Sequence, residues 1–417
     1  MQMLTTSASL ILSLKLKEII DEEGITEPEI IIEGDGEKGN NYMGEMVQIQ
    51  ITGKNKLREP IVKNLFVKSA PTSKEMRVLI PILQLYKREV HTYNSVLPAL
   101  KEIQEAHSLP EDQRVHFFKC YKTSLDDLSE FIIMDDMIPK GFKMFSRKEA
   151  LDIDHMRLVM RHIAYFHSLS FALKTHNPQL YEELTRNIES DYTYSENVKF
   201  FYTKVTSQAI EYIEDPLYKK TVENFMKNVY EKVYHIIDPK LCDPYNVICH
   251  GDFWSNNVIF KYQVRKTPEG LPSELRFVDW QMVKHCSPIV DLSHLMFCAT
   301  EQTLRKEHYQ ELLDLYYSSL SLSLQRLNCD IALLYPRHVF DQQIKDLSQY
   351  GFVFTTISLS FLMREGDDII DVETEVLKDR SLVDVSFKNQ KSVVDFQHRF
   401  NGVIEDFISF GLIETET

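Results

Sequence analysis

The chain has 417 residues, of which 43% are hydrophobic and 26% are charged, as in a globular protein with a substantial core. This length predicts two or three structural units, or one bilobal domain. A formal net charge of −15 without a long basic block argues against nucleic-acid binding. The six cysteines show no Cys-x-x-Cys spacing, which favours a reducing, cytoplasmic compartment over a disulfide scaffold.

The N-terminal sequence "MQMLTTSASLILSLKLKEII" lacks a basic leader and a small-residue cleavage site, and its apolar run breaks at Lys15. No segment approaches the roughly 20 apolar residues that span a bilayer. We therefore expect a cytoplasmic protein without a membrane span. The sequence does not indicate an oligomeric state.

Glycine is scarce, and four of the 13 glycines lie close together in "GDGEKGNNYMG": Gly34, Gly36, Gly39 and Gly44. Such a segment permits unusual backbone angles or a close approach to a ligand. The next residues, "EMVQIQITG", alternate apolar and polar side chains, which predicts a half-buried strand. A second strand, "IVKNLFVKSAP", would complete an antiparallel hairpin.

Helices are predicted after this hairpin. Thr72 and Glu75 have capping-box spacing, and Pro81 separates a first helix from a second, "ILQLYKREVHTYNSVL". Two strand-like runs, "VHFFKCYKT" and "EFIIMDDM", complete a β-β-α-β-β pattern. From Ser146 onward the pattern is mainly helical, apart from the short strands "NVIFKY" and "LRFVDW". The predicted fold class is α+β, a small β-rich part followed by a larger, mostly helical part.

Oxygen-bearing side chains converge at one end of the second predicted hairpin, in and after "VICHGDFWSNNVIF". Asn257 precedes its first strand, Asp279 follows its second strand, and Asp252 lies in the loop just before it. An antiparallel hairpin brings these ends together, and carboxylate and amide oxygens are ligands that Mg²⁺ prefers. A polar turn with an Asx cap explains any one of these residues, whereas the set of three favours a metal site.

Lys68 and Glu89 each place a charge among apolar neighbours, the first on a strand and the second on a helix stripe. Burying an unpaired charge is costly, and pairing the two would remove both costs. Such a pair is a feature of kinase-type ATP sites. Alternatively, both side chains extend past the apolar surface to reach water. The glycine-rich segment does not match a Walker motif, and the G-x-G-x-x-G spacing of Gly34, Gly36 and Gly39 is a weak signal by itself, so an ordinary hairpin turn explains the segment equally well.

The order of these features resembles the protein-kinase-like superfamily: a glycine-rich hairpin, a strand lysine, a helix glutamate, H-G-D-x-x-x-x-N and a strand that ends in Asp. "LFVKSAP", "FIIMDDM", "VICHGDFWSNNVIF" and "RFVDWQMVKHCSPIVDLSHLMF" are similar to the ecdysteroid-kinase-like (CHK kinase-like) family of arthropods, related to aminoglycoside and choline kinases. The resemblance runs from about residue 30 to about residue 360. It implies a bilobal protein-kinase-like fold with an N-lobe over residues 1–136 and a C-lobe over residues 137–417.

The resemblance also implies roles for single residues. Asp252 would accept or orient the proton of an acceptor hydroxyl, and Asn257 and Asp279 would hold Mg²⁺. Lys68 would contact the α- and β-phosphates of ATP, with Glu89 as the partner that positions it.

Further ATP contacts are implied for main-chain groups. The turn that includes Gly39, Asn40, Asn41 and Tyr42 would cover the phosphates, and the hinge would read the adenine edge through Met134, Asp135, Asp136 and Met137. The chain departs from the family pattern in two places: it has Asp-Asp-Met where Glu-Asp-Leu is usual at the hinge, and Met43-Gly44 where an Ala-Ser pair is common in the turn.

Several nearby residues are expected to be structural. His250 would brace the catalytic loop, and Asp291, in "SPIVDL", would tie that loop from below. His162 and His167 lie on a helical face and are interpreted as core or interface histidines.

The predicted activity is ATP- and Mg²⁺-dependent phosphorylation of a hydroxyl on a small molecule, either an ecdysteroid or a dietary or xenobiotic alcohol. Two alternatives stay open: a nucleotide-binding pseudokinase or scaffold, and a choline-type kinase. A protein kinase is disfavoured because no Arg precedes Asp252 and because D-F-G and A-P-E are absent from the sequence. The late apolar helix "YGFVFTTISLSFLM" either belongs to the core or lines the acceptor pocket.

Overall fold

The computed structural model describes residues 7–33, 45–188, 196–263, 270–370 and 386–414. Its N-terminal part is built on five strands: β1 (Thr26–Glu33), β2 (Glu45–Lys54), β3 (Pro60–Ser69), β4 (Cys120–Ser124) and β5 (Phe131–Asp135). They form one antiparallel sheet in the order β1-β2-β3-β5-β4. The predicted pairing of β2 with β3 is confirmed.

The strand β4 is shorter than the predicted run "VHFFKCYKT". Val115, at the start of that run, is held by a side chain instead of a neighbouring strand. The amide of Gln104 donates to the Val115 carbonyl at 3.0 Å and accepts from its N–H at 3.1 Å. Because these backbone groups are already paired, the strand begins only at Cys120.

The first helix, α1 (Ser7–Glu22), and the edge strand β1 were not predicted. Leu16, Ile19 and Ile20 of α1 pack on one face of the sheet, where they join a separate small core. In β1, consecutive isoleucines replace the alternation that marks a half-buried strand, and Ile32 is 51% exposed. An edge strand has a neighbour on one side only, which accounts for this exposure.

Three helical segments follow β3. Ser73, and not Thr72 as predicted, caps the first of them, because its hydroxyl accepts from the N–H of Met76 at 3.3 Å. Pro81 precedes the second helix, as predicted. The segments are α2 (Lys74–Leu79), α3 (Ile82–His91), which runs on through a π-helical turn (Thr92–Val96), and α4 (Leu97–Ala106).

The remainder of the chain is mainly helical. Its helices are α5 (Ile153–His176), α6 (Pro178–Arg186), α7 (Glu196–Glu211), α8 (Pro216–Met226), α9 (Val229–Ile236), α10 (Pro239–Cys242), α11 (Ile289–Cys298), α12 (Gln302–Arg326), α13 (Ile331–Leu334), α14 (Arg337–Leu347), α15 (Gln349–Leu362) and α16 (Gln390–Ser409). The apolar helix of the sequence is α15, which packs against α11, α7 and α16. Almost all of its side chains are buried, so it belongs mainly to the core.

Two small sheets lie within this helical part. One pairs β7 (Val247–Cys249) with β10 (Lys284–Cys286), and the other has the order β6-β8-β9, with β6 (Phe142–Met144), β8 (Val258–Tyr262) and β9 (Pro272–Phe277). The hairpin of β8 and β9 is the predicted one, and Val258 lies opposite Phe277. The N–H of Val278 donates to the Asn257 carbonyl at 3.0 Å, so the residues that flank the hairpin meet at one end.

The described residues therefore form an α+β structure with a small N-terminal sheet and a larger helical part, as predicted. Among them, no helix combines the length and the apolar composition that crossing a membrane requires. The lobe boundary at residue 136 stays a prediction. The polar segment 364–390, whose role the sequence did not indicate, falls partly in residues 371–385, outside the described ranges.

Candidate active site

The side chain of Lys68 joins three segments of the chain. Its Nζ lies 2.7 Å from Glu89 Oε2 and 2.8 Å from Asp279 Oδ1. The side chains of Lys68 and Glu89 are 2% and 1% exposed, whereas that of Asp279 is 22% exposed. The structure thus brings together the lysine and glutamate singled out in the sequence, and adds the aspartate that follows β9.

The local backbone explains why these three charges meet. Lys68 lies on β3 opposite Met46 of β2 and Ile132 of β5, in the middle of the sheet. Asp279 has a left-handed backbone, with φ of 65°, which aspartate adopts more readily than most residues. This turn ends the extended chain after β9 and places the carboxylate beside the lysine.

Glu89 and Lys68 differ in how strongly their surroundings favour the charged form. Burial raises the pKa of Glu89 to about 7, in spite of the opposing charge of Lys68. Burial also disfavours the Lys68 ammonium, but the carboxylates of Asp279 and Glu89 outweigh this effect and raise its pKa. Lys68 therefore stays charged, held between two acidic groups.

The conformation of the loop that carries Asp252 is fixed by a glycine with a left-handed backbone and by hydrogen bonds from a side chain. Gly251 has φ of +80°, and a Cβ added there would lie 2.0 Å from the carbonyl oxygen of Met282. The Asn257 amide nitrogen donates to the main-chain oxygen of Asp252 at 2.8 Å and to its Oδ2 at 3.1 Å. Two of the three residues predicted to form the metal site are therefore in direct contact.

Asp252 has an environment that opposes its negative charge. Burial and the charge of Asp279 raise the pKa of Asp252 to about 6, against opposing contributions from Lys284, Asn257 and Trp254. Perturbed carboxylates of this kind concentrate at sites that move protons. Trp254, in the same loop, is partly buried, and its Nε1 has no hydrogen-bond partner among the described residues.

Asp291 ties the loop from below, as predicted. Its two carboxylate oxygens accept from the N–H groups of His250 at 2.7 Å and Gly251 at 2.8 Å. His167 Nε2 lies 3.2 Å from the same carboxylate, and the other ring nitrogen lies 2.9 Å from the Tyr316 hydroxyl. Although burial opposes ionisation, the hydrogen bonds and the charge of His167 lower the pKa of Asp291.

Two further residues complete this structural support. The Nε2 atom of His250 lies 2.8 Å from the Val278 carbonyl, and its ring packs on Trp280. Cys249 lies near Asp291 and His167, with potential ligand atoms within 4.8 Å of one another. Burial raises the pKa of this thiol well above its usual value, and its Sγ lies 3.3 Å from the Ser287 carbonyl. We therefore interpret this cluster as a hydrogen-bonded support and not as a metal site.

The segment Met134–Met137 spans the end of β5 and the residues after it, between the sheet and the helical part. Its two acids are bound within the protein: Asp135 accepts from the Tyr121 hydroxyl at 2.8 Å, and Asp136 accepts from Gln48 at 2.9 Å. Some main-chain groups are bound as well: the N–H of Asp135 donates to the Lys119 carbonyl at 3.0 Å and that of Asp136 to the Asn64 carbonyl at 3.1 Å. The predicted phosphate-covering turn, with Gly39, Asn40, Asn41 and Tyr42, lies in residues 34–44, outside the described ranges.

Sequence reasoning did not single out three buried side chains near Asp252. Lys284 donates to the carbonyls of Met282 at 3.1 Å and Gly251 at 3.3 Å, and burial lowers its pKa to about 8. The Tyr350 hydroxyl donates to the Gly251 carbonyl at 2.9 Å, and His294 Nδ1 lies 3.9 Å from Asp252 Oδ1.

Two of these residues had signals in the sequence. Lys284 is a charge that directly follows the apolar Met282 and Val283 and begins a strand, a pattern related to that of Lys68. His294 follows Asp291 by three residues on one helix, so both lie on the same face. Tyr350 reaches the loop from a distant segment, and no local pattern indicates such a contact.

The residues present suit a hard divalent cation. Among the described residues, Asp279 Oδ2 accepts one long hydrogen bond, 3.3 Å from Gln281. Asn257 donates through its amide nitrogen, which leaves its amide oxygen as a ligand. Oxygen donors without sulfur match the preference of Mg²⁺, so Asn257 and Asp279 fit the ion that the sequence predicted.

This fold and this arrangement of Lys68, Glu89, Asp252, Asn257 and Asp279 define a kinase-like enzyme. The model of the ecdysteroid kinase-like family matches residues 38–329, which include all five positions. The chain therefore belongs to the ecdysteroid kinase-like family, as the resemblance had suggested. No curated protein sequence matches it.

Proposed function

We propose that the protein transfers the terminal phosphoryl group of ATP to a hydroxyl of a small-molecule alcohol, with Mg²⁺ as the metal. The observation that carries this proposal is the contact of the buried Lys68 with both Glu89 and Asp279, at 2.7 and 2.8 Å. Phosphoryl transfer depends mainly on positioning and on neutralising phosphate charge, which this cluster is suited to supply.

In the proposed reaction, a bond forms between the acceptor oxygen and the γ-phosphorus while the bond to the oxygen retained by ADP breaks. The hydroxyl proton moves to Asp252, whose orientation Asn257 fixes by two hydrogen bonds. Mg²⁺, held by Asn257 and Asp279, would neutralise charge on the phosphate oxygens. Lys68 would supply a second positive charge, and Glu89 would keep it in place.

For the nucleotide base, we propose recognition by main-chain groups of Met134–Met137. The acidic side chains of this segment are already bound by Tyr121 and Gln48, and the N–H groups of Asp135 and Asp136 by Lys119 and Asn64, so the proposal assigns this role to the remaining main-chain groups. The turn Gly39–Gly44 would cover the phosphates. A cytoplasmic location is part of the proposal, because none of the six cysteines forms a disulfide.

We propose an uncharged alcohol as acceptor, with ecdysteroids and dietary or xenobiotic alcohols as candidate classes. The buried ammonium of Lys284 lies near enough to Asp252 to lower the pKa of that carboxyl. A second cation, such as the quaternary ammonium of choline, would meet repulsion from Lys284. This charge makes a choline-type acceptor less suitable.

The test is incubation of the protein with ATP, Mg²⁺ and four separate acceptors: ecdysone, geraniol, benzyl alcohol and choline. Mass spectrometry would measure phosphorylated product, and ADP would be assayed in parallel. We expect a phosphorylated alcohol and ADP in equal amounts, both abolished by EDTA. Binding of ATP without product from any of the four would instead favour the pseudokinase alternative.

A further inference from the structure

We propose that His294 binds the acceptor hydroxyl together with Asp252, so that the nucleophilic oxygen is held between the imidazole Nδ1 and the carboxylate Oδ1. This inference rests on the proposed function and adds an acceptor-binding residue to it. Its basis is the position, burial and incomplete hydrogen bonding of one histidine.

His294 is placed by the helix that also anchors the catalytic loop. It lies on α11 one turn after Asp291, whose carboxylate binds the amides of His250 and Gly251. Because residues three apart share a helix face, the helix that ties the loop also directs His294 toward it. The His294 side chain is 0% exposed.

The two ring nitrogens of His294 differ in their contacts. Nε2 lies 3.1 Å from the Ser358 hydroxyl on α15. Nδ1 has no hydrogen-bond partner among the described residues. In His167 both nitrogens are paired, with Tyr316 and Asp291, whereas His294 and His250 each have an Nδ1 without a partner among the described residues, and only that of His294 lies near the Asp252 carboxylate in the described contacts. A buried polar atom without a partner is costly, which points to a ligand that completes the bond.

The spacing between the two groups suits one oxygen atom. His294 Nδ1 and Asp252 Oδ1 are 3.9 Å apart, which is too long for a direct hydrogen bond. An oxygen about 2 Å to the side of the line that joins them reaches both atoms at about 2.8 Å. A hydroxyl has the required polarity, since it donates its proton to Asp252 while its lone pair accepts from Nδ1–H.

The charges around His294 support this polarity. Burial lowers the pKa of His294 to about 3, Asp291 opposes that shift, and Lys284 and His250 reinforce it. The imidazole is therefore neutral at neutral pH. When the Ser358 hydroxyl donates to Nε2, the ring proton lies on Nδ1 and faces the acceptor oxygen.

Two substitutions separate this role from a structural one. The side-chain amide of Asn ends the same number of bonds from Cα as Nδ1, and that of Gln matches Nε2. His294→Asn therefore keeps a polar group toward Asp252 and loses the contact with Ser358, while His294→Gln does the reverse. Acceptor binding predicts that Asn is the better replacement, and a structural role predicts that Gln is.

The assay uses the alcohol of the four-member panel that gives the most product, and measures kcat/KM for that alcohol and KM for ATP. We expect His294→Gln to lower kcat/KM for the alcohol by about tenfold, the effect of one hydrogen bond, with KM for ATP within about twofold of wild type. His294→Asn should retain most of the wild-type value. Equal or better performance of Gln than Asn would overturn the inference while the proposed function stood.

Ser358→Ala provides a second variant that keeps the imidazole and removes the partner that orients it. If neither His294 variant folds, this variant should still raise KM for the alcohol and leave KM for ATP unchanged. An unchanged KM for the alcohol there would count against the inference. If the wild-type protein phosphorylates none of the four acceptors, the proposed function fails and the role of His294 fails with it.

Discussion

Two buried polar networks meet at residues 250–252, and they differ in how completely their hydrogen bonds are made. Around Asp291, both carboxylate oxygens accept backbone N–H groups, and His167 and Tyr316 extend the network with paired atoms, so that among the described residues only the Nδ1 of the adjoining His250 is left without a partner there. Around Asp252 and Lys68, several buried polar atoms have no partner among the described residues: Tyr86 Oη, Asn256 Oδ1, Gln281 Oε1 and His294 Nδ1.

The pKa values of the carboxylates differ between the two networks in the same way. The pKa of Asp291 lies below its usual value, because amide and imidazole groups stabilise its charge against the cost of burial. Burial raises the pKa of Asp252 to about 6 and that of Glu89 to about 7, and in each case the charge of Asp279 adds to the effect. The Asp291 side chain, 0% exposed, favours the charged form although that of Asp252 is 22% exposed, so hydrogen bonding and not depth decides the preference.

The contrast distinguishes residues that support the fold from residues that form a ligand-binding site. A saturated network stabilises one conformation of the chain and has no capacity for a ligand. An unsaturated network carries a free-energy cost in the folded protein, which a ligand with matching groups would offset. Burial alone does not identify functional residues here, whereas incomplete pairing beside Asp252 and Lys68 does.

The largest expected effect is on turnover, at Asp252. Asp252→Asn keeps the shape of the side chain and removes the group that takes the proton, so kcat should fall by about 1,000-fold. Steady-state product formation would measure kcat, and calorimetry with a non-hydrolysable ATP analogue would show that nucleotide binding persists. Turnover close to that of the wild type would refute the role assigned to Asp252.

Lys68→Met should have the next largest effect. It removes the charge proposed to contact phosphates, and kcat/KM for ATP should fall by about 100-fold. Lys63→Met is the matched control, because Lys63 lies on the same strand and contacts Glu23 and Tyr121 instead of Glu89 and Asp279. An equal loss of activity in both variants would mean that the substitutions disturb strand β3 and do not act through the ATP site.

Measurements of the free energy of unfolding should distinguish the two networks most directly. Asp291→Asn disturbs a carboxylate that is fully paired and buried, and should lower the free energy of unfolding by about 3 kcal/mol. Asp252→Asn removes a charge that burial opposes, and should leave that free energy unchanged or raised. Chemical denaturation of the two variants side by side would measure both. A similar loss in each would mean that the networks do not differ in the way described.

The smallest predicted effect is a pH dependence at His294. Burial lowers its pKa to about 3 from an ordinary value of 6.5, so the unfolded chain binds this proton more readily than the folded protein does. Unfolding free energy should therefore fall as pH decreases from about 6.5 toward 3. His294→Gln cannot take up the proton and should show a shallower decline over that window. Identical slopes for the two proteins would contradict the buried, neutral state of this histidine.

The sequence was informative wherever a local pattern reflected a local cause. Alternating side chains predicted β2, the run that follows predicted β3 as its hairpin partner, and buried charges on apolar elements pointed to Lys68 and Glu89. The tie between Asp291 and the loop was also predicted. The helix α1 was not predicted, although Leu16, Ile19 and Ile20 have helical spacing and pack in the small core of the sheet.

What sequence reasoning missed depended on contacts between distant segments. Tyr350 and Ser358 reach the loop and His294 from α15, whose apolar sequence predicts burial but not which polar atoms face the site. The alternation in β3 places Lys68 on one face, but its contact with Asp279 joins residues 211 positions apart. Such contacts follow from how the helices pack, which local patterns do not specify.

Gly251 and a second glycine share a left-handed backbone conformation but should differ in how well they tolerate substitution. Gly411 is also left-handed, with φ of +67°, but an added Cβ there meets nothing within 4 Å. Asparagine, which adopts this conformation readily, is therefore acceptable at Gly411. At Gly251 the obstacle is the carbonyl oxygen of Met282, so no side chain fits whatever its backbone preference. We expect none of the nineteen possible substitutions at position 251 to be tolerated, because the loop can follow this path only when residue 251 has no Cβ atom.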